Sequence, residues 1–74
     1  MDALKIGKFI CEKRKNLNMT QSLLADKLHI TDKAVSKWER GLSLPDISIL
    51  IPLSEILNVG LCDLLKGEDC NEQE

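Results

Sequence analysis

Residues 19–41 read MTQSLLADKLHITDKAVSKWERG, and this stretch decides the fold. Thr20 is placed to cap a helix over Gln21 to Leu28, with its hydroxyl accepting from a first-turn amide. Leu24, Ala25 and Leu28 then recur at i, i+1 and i+4, one buried stripe of a short helix. Leu23 stands where a full capping box would carry Glu, so the cap is half built. His29, Ile30 and Thr31 separate this segment from the next. Thr31 is a second N-cap, and Asp32 sits in the first turn, where the helix dipole favours an acid. A third helix runs from Asp32 to Arg40 and stops at Gly41.

Outward from that pair the pattern stays helical. Ala3 to Leu17 carries Leu4 or Ile6, Ile10, and Lys13 or Leu17 at helical spacing. Asn18 follows as a residue suited to a left-handed helix end. After a loop from Leu42 to Pro45, a fourth helix opens at Asp46 or Ser48 and ends near Asn58. Pro52 sits awkwardly if the start is Asp46, because proline lacks the N–H that its turn needs, so a start at Ser48 or a kink is expected. Val59 and Gly60 lead to a fifth helix, Leu61 to Lys66, and Gly67 ends it. The expected organisation is one all-α domain over residues 1–67, a five-helix bundle, followed by an acidic flexible tail over 68–74.

Composition agrees. Seventy-four residues make one domain, 43% hydrophobic and 30% charged. The core is aliphatic, with one Phe, one Trp and no Tyr. No apolar run approaches the ~18 residues of a membrane span, and the N-terminus has no signal-like stretch, so a cytoplasmic protein is expected. Cys11, Cys62 and Cys70 form no C-x-x-C pair, and His29 is the only imidazole. They are expected to be a helix-surface or core thiol, a near-core thiol and a tail thiol, with no metal and no cofactor.

The net charge of −2 hides a split. Lys5 to Arg40 holds nine basic residues against four acids, whereas Gly41 to Glu74 holds one Lys against seven acids. The first part can meet a polyanion and the second cannot. Two short helices joined by a three-residue turn have the geometry of a helix-turn-helix, whose second helix enters the DNA major groove. At about 100° per residue, Thr31, Ala34, Val35 and Trp38 share one arc of helix three, and Asp32, Lys33, Ser36, Lys37 and Arg40 lie opposite. Lys and Arg can donate to guanine, Ser is versatile, and Asp can accept from cytosine.

The run from Met19 to Gly41, with its T-Q opening, L-A pair, hydrophobic-x-Thr turn and V-S-K-W-E-R-G close, resembles the Cro/cI-type (XRE, lambda-repressor-like) helix-turn-helix family. Leu44-Pro45 before helix four extends the similarity, which covers about Ile6 to Leu65. The resemblance implies a sequence-specific DNA-binding regulator, expected to be a repressor, with a double-stranded operator as partner. It implies a DNA-contacting set of Gln21, Thr31, Asp32, Lys33, Ser36, Lys37 and Arg40. Within that set Gln21 and Arg40 take backbone contacts, and Asp32, Lys33, Ser36 and Lys37 take the base-reading positions. Arg14 and Glu39 match a structural ion pair between helices one and three. Three departures stand out: His29 where the family favours Gly, Asp32 where many relatives carry Gln or Ser, and Lys13 for a usual Leu.

A homodimer is expected, because one such motif reads few base pairs. Its interface would come from helices four and five and the tail, with Ile51, Leu61 or Cys62 exposed for it. The rival readings are an antitoxin or protein-interaction module on the same fold and, more weakly, an enzyme. One His and three scattered Cys supply no nucleophile–base arrangement, and no small-molecule ligand site is evident.

Overall fold

In a computed structural model, which describes residues 2–68, the chain forms α1 (Ala3–Asn16), α2 (Gln21–Leu28), α3 (Asp32–Glu39), α4 (Ile47–Leu57) and α5 (Leu61–Lys66). The first four starts follow from a local side-chain cap, and α5 starts after Gly60 without one. The Lys5, Leu23, Ala34 and Ser48 amides donate to side-chain oxygens of Asp2, Thr20, Thr31 and Asp46, at 3.1, 3.0, 3.3 and 3.2 Å. The stops are equally local. Asn18, His29 and Asn58 take left-handed backbone angles with φ of 59°, 59° and 58°, and Gly41 stands at 75°. Asn tolerates that region, but His29 occupies it at a cost of about 1–2 kcal/mol. The departure from Gly at this turn therefore leaves the conformation unchanged and adds strain.

α4 begins at Ile47 rather than at Ser48, because Asp46 accepts from both the Ser48 amide and the Ser48 hydroxyl, the latter at 2.6 Å. These bonds hold the Asp46 carboxyl below its ordinary pKa. The helix runs through Pro52, its sixth residue. Pro52 has no N–H to offer the Ser48 carbonyl.

The core joins Ile6, Phe9 and Ile10 of α1 to Leu24 and Leu28 of α2, Val35 and Trp38 of α3, Leu50, Leu53 and Leu57 of α4, and Leu64 of α5. On α1 the buried stripe differs from the expected one. Ile6 is chosen over Leu4, and neither Lys13 nor Leu17 fills the last slot. Arg14 does, because a buried acid on α3 waits for it. Lys13 turns outward far enough to set its ammonium 5.2 Å from the Phe9 ring centre.

Cys62 is exposed rather than near the core, because Leu64, two residues further on, takes the inward position on α5. Glu68 is tied to the bundle by its amide, which donates to the Asp63 carbonyl at 3.1 Å, and by an ion pair with Lys5 at 2.8 Å. The rest of the expected acidic tail, with Cys70, lies outside the described residues. Among the described residues no helix is long and apolar enough to cross a membrane.

Candidate nucleic-acid interface

α3 is eight residues long, too short to be stable alone, so its orientation is set by what grips it. Val35 is fully buried and Trp38 is 5% exposed. From α2, Leu24, Ala25 and Leu28 are buried in the same core as Val35 and Trp38. From α1 the grip is tighter. A Cβ built on Gly7 would lie 3.0 Å from the Trp38 carbonyl carbon and 3.2 Å from that of Glu39. Only glycine permits this crossing.

Two turns along α1, Arg14 completes the hold. Its side chain is 9% exposed and that of Glu39 6%. Arg14 Nε donates to Glu39 Oε2 at 2.7 Å and Nη2 to Oε1 at 3.0 Å, a two-pronged pairing. Nη1 donates to the Met19 carbonyl at 2.7 Å, which also fixes the start of the chain into α2. Gln21 Nε2 donates to Glu39 Oε1 at 3.0 Å. Burial pushes the Glu39 carboxyl up, but hydrogen bonds from Arg14, Gln21 and Cys11 outweigh it and hold the group below its ordinary value. The hydrogen bond to Glu39 holds Arg14 above its own. Arg14 and Glu39 thus meet as the resemblance implied, and Gln21 joins them.

The opposite side of α3 faces outward. Asp32, Lys33, Lys37 and Arg40 are exposed on one surface, and Ser36 is half-buried at its edge. Arg40 lies along the helix, with Nε donating to the Ser36 carbonyl at 3.4 Å. Thr31, placed by periodicity in the inward arc, is exposed at the N-cap, where its hydroxyl serves the Ala34 amide. Of the seven expected contact residues, Asp32, Lys33, Lys37 and Arg40 form the outer face. Thr31 stands at the start of α3, Ser36 at the edge of that face, and Gln21 at the start of α2.

Two positioning residues escaped sequence reasoning. Gly7 carries a detectable signal, a lone glycine inside an otherwise good helix and seven residues before Arg14 on the same side. Met19 carries none, since it acts through its carbonyl.

The helix-turn-helix family model matches residues 12–64, most of the chain. The chain belongs to this Cro/cI-type helix-turn-helix family. Among curated members it is 50% identical over 58 residues to the uncharacterized HTH-type transcriptional regulator YqaE of Bacillus subtilis, covering 78% of this chain and 48% of YqaE. It is 42% identical over 66 residues to the HTH-type transcriptional regulator DicA of Escherichia coli, covering 89% of this chain and 49% of DicA. The chain spans about half the length of these two helix-turn-helix relatives. Among solved structures, the P22 c2 repressor in complex with a synthetic operator superposes with a TM-score of 0.81 at 33% identity, covering 85% of this chain and 96% of that one.

Proposed function

We propose that this helix-turn-helix chain is a cytoplasmic transcriptional repressor that binds a double-stranded DNA operator as two copies, with α3 in the major groove. The observation that carries the reading is the two-sidedness of α3. Its inner side is fixed by Gly7, Trp38 and the Arg14–Glu39–Gln21 network, and its outer side presents Asp32, Lys33, Lys37 and Arg40. A recognition element must be held rigidly and must still expose donors and acceptors with reach, and α3 satisfies both. Lys33 and Lys37, one turn apart, read base edges. Ser36 and Asp32 add a short hydroxyl and an acceptor, with Thr31 beside them at the helix start. Arg40, at the helix end, meets the sugar-phosphate backbone, as does Gln21 at the start of α2. The family likeness and the operator-bound c2 repressor support the same reading.

Selection of bound sequences from a random DNA pool tests it. A two-fold symmetric consensus is expected, and a pool with no enriched sequence overturns the reading in favour of a protein-interaction module. On the selected duplex, Lys37→Ala is expected to cost about 1–3 kcal/mol per half-site and far less on unrelated DNA. Arg40→Ala should weaken both alike and lower the salt slope by about one unit per half-site. Equal weakening of both DNAs by Lys37→Ala would reassign that lysine to the backbone.

A further inference from the structure

The outward surface of α3 carries two charge arrangements that the packing of the free chain does not explain. Lys33 and Lys37 stand four residues apart, so their ammonium groups share one side of the helix. The residues three and four positions from Lys37 are Lys33, Ala34, Arg40 and Gly41, and none is an acid. Both lysines are exposed without a bonded partner among the described residues. Like charges at this spacing destabilise a helix. The second arrangement is Asp32. Elsewhere Asp2 and Asp46 cap helices, Glu39 is buried against Arg14, and Glu68 pairs with Lys5. Asp32 has no such role. Thr31 caps α3, its hydroxyl accepting from the Ala34 amide, and the exposed Asp32 carboxylate has no bonded partner. The dipole of α3 favours an acid in the first turn, but a carboxylate on a surface turned to a polyanion weakens binding to every DNA.

We infer that Asp32 selects cytosine in the operator, its carboxylate accepting from the N4 amino group, while Lys33 and Lys37 donate to guanine, so that the half-site is a run of G·C pairs. This rests on the proposed operator reading and adds the base identity to it. The complementarity is one of donors against acceptors. A lysine ammonium only donates, and guanine presents two acceptors, O6 and N7, at its major-groove edge. A carboxylate only accepts. It is repelled by the acceptors of guanine and thymine, and at adenine the N6 donor stands beside the N7 acceptor. Cytosine alone presents a donor with no acceptor next to it.

Helix geometry sets the length of the run. Lys33 and Lys37 are separated by about 6 Å along the helix axis, close to two base steps of about 3.4 Å each. Their guanines therefore fall within about three consecutive base pairs, and Asp32, one residue before Lys33, finds its cytosine in or beside the same run. The carboxylate also works by exclusion. On unrelated DNA it faces acceptors or phosphates, so it loosens that binding while the matched site escapes the penalty.

Selection from a random DNA pool with wild type and with Asp32→Asn, at one salt concentration, tests the inference. The wild type should enrich half-sites with two guanines, on either strand, and a cytosine within about four base pairs. Asparagine both donates and accepts and matches adenine N6 and N7, so Asp32→Asn should change one position of each half-site from cytosine to adenine. The variant should keep the wild-type helical circular dichroism spectrum and bind unrelated duplex more tightly than wild type does. A second measurement uses the wild-type duplex with N4-methylcytosine at that position, which keeps the base pair and replaces the N–H facing the major groove by a methyl group. Wild-type affinity should fall about tenfold per half-site, and that of Asp32→Asn should fall far less. If the variant enriches the same sequence as wild type, or wild type ignores the N4-methyl group, the inference is overturned while the enriched operator keeps the DNA-binding reading standing. A pool with no enriched sequence overturns the operator reading itself, and this inference with it.

Discussion

Gly7→Ala is the sharpest probe of how α1 holds α3, because two effects oppose each other and their sizes differ. In an ordinary helix interior, alanine is favoured over glycine by about 1 kcal/mol. Here the added methyl would stand 3.0 Å from the Trp38 carbonyl carbon and 3.2 Å from that of Glu39, inside the ordinary contact range of 3.4–4 Å and closer still to the Trp38 oxygen. The obstacle is backbone, which cannot rotate away as a side-chain tip could. α1 must therefore lift from the end of α3, and Arg14 on the same side of α1 would be drawn away from bonds at 2.7 and 3.0 Å to Glu39. Overpacking of this kind costs up to about 3 kcal/mol. Net of the helix gain, a loss of about 2 kcal/mol is expected, which in a domain this small lowers the melting midpoint by about 10 °C. Thermal and urea melts followed by circular dichroism measure it. Lys8→Ala, on the exposed neighbouring residue, serves as control and should stay within about 0.5 kcal/mol of wild type. A Gly7→Ala protein that melts at or above the wild-type temperature would refute the close crossing.

Arg14→Met leaves Glu39 buried with its main partner gone and should cost about 3–5 kcal/mol, whereas Arg14→Met with Glu39→Leu should recover much of that in a double-mutant cycle. The Glu39 carboxyl is held below its unfolded value, so its contribution is complete above that value, near 4.5, and is lost as the pH falls through the lower folded one. Glu39→Gln should flatten the stability profile in that acid window, as urea midpoints against pH will record. His29→Gly should raise stability by up to about 1 kcal/mol, and more than Asn58→Gly, because His is the less tolerant of a left-handed backbone; a loss at His29 in urea melts would place useful contacts in its side chain. Ala25→Leu should cost about 1–3 kcal/mol, since Ala25 is 2% exposed in the core beside α3, and an unchanged melting midpoint would contradict that packing.

The helix boundaries were legible because caps and stops are local. Thr20, Thr31, Asn18, His29 and Gly41 each determine their own turn through bonds within a few residues. The two-sidedness of α3 was legible because a single helical period sorts Val35 and Trp38 from Lys33 and Lys37. What was hidden depends on distant partners. Periodicity offered Lys13 or Leu17 for the last buried position of α1, and Arg14 fills it only because Glu39, 25 residues away, is buried opposite. Gln21 read as a contact residue, and its bond to Glu39 exists only once α2 and α3 are packed. Pro52 argued for a later start of α4, but the doubly bonded Asp46 cap outweighed that local preference. Ile51 and Leu61 were legible as exposed, while Ile47, the most exposed of the large aliphatics, needed the relative placement of α4 and α5.

The buried Arg14–Glu39 pair is better understood as a constraint on orientation than as a source of stability. Taking two charges out of water costs several kcal/mol, and well-packed aliphatic replacements often do as well or better. An aliphatic contact would, however, tolerate small rotations of α3 about its own axis. A guanidinium donating two bonds to one carboxylate does not, because both lengths and the shared plane must hold together. Gln21 adds a third donor to the same carboxylate from α2, and Met19 accepts from the same guanidinium at the entry to α2. One carboxylate thus references the end of α3 to both α1 and α2. A rotation of α3 by one residue's angle, about 100°, would put Ala34 and Trp38, or in the other sense Asp32 and Ser36, where Lys33 and Lys37 stand. An eight-residue helix whose outer side carries Lys33, Lys37 and Arg40 is therefore fixed in orientation by this pair more surely than by another buried methyl group.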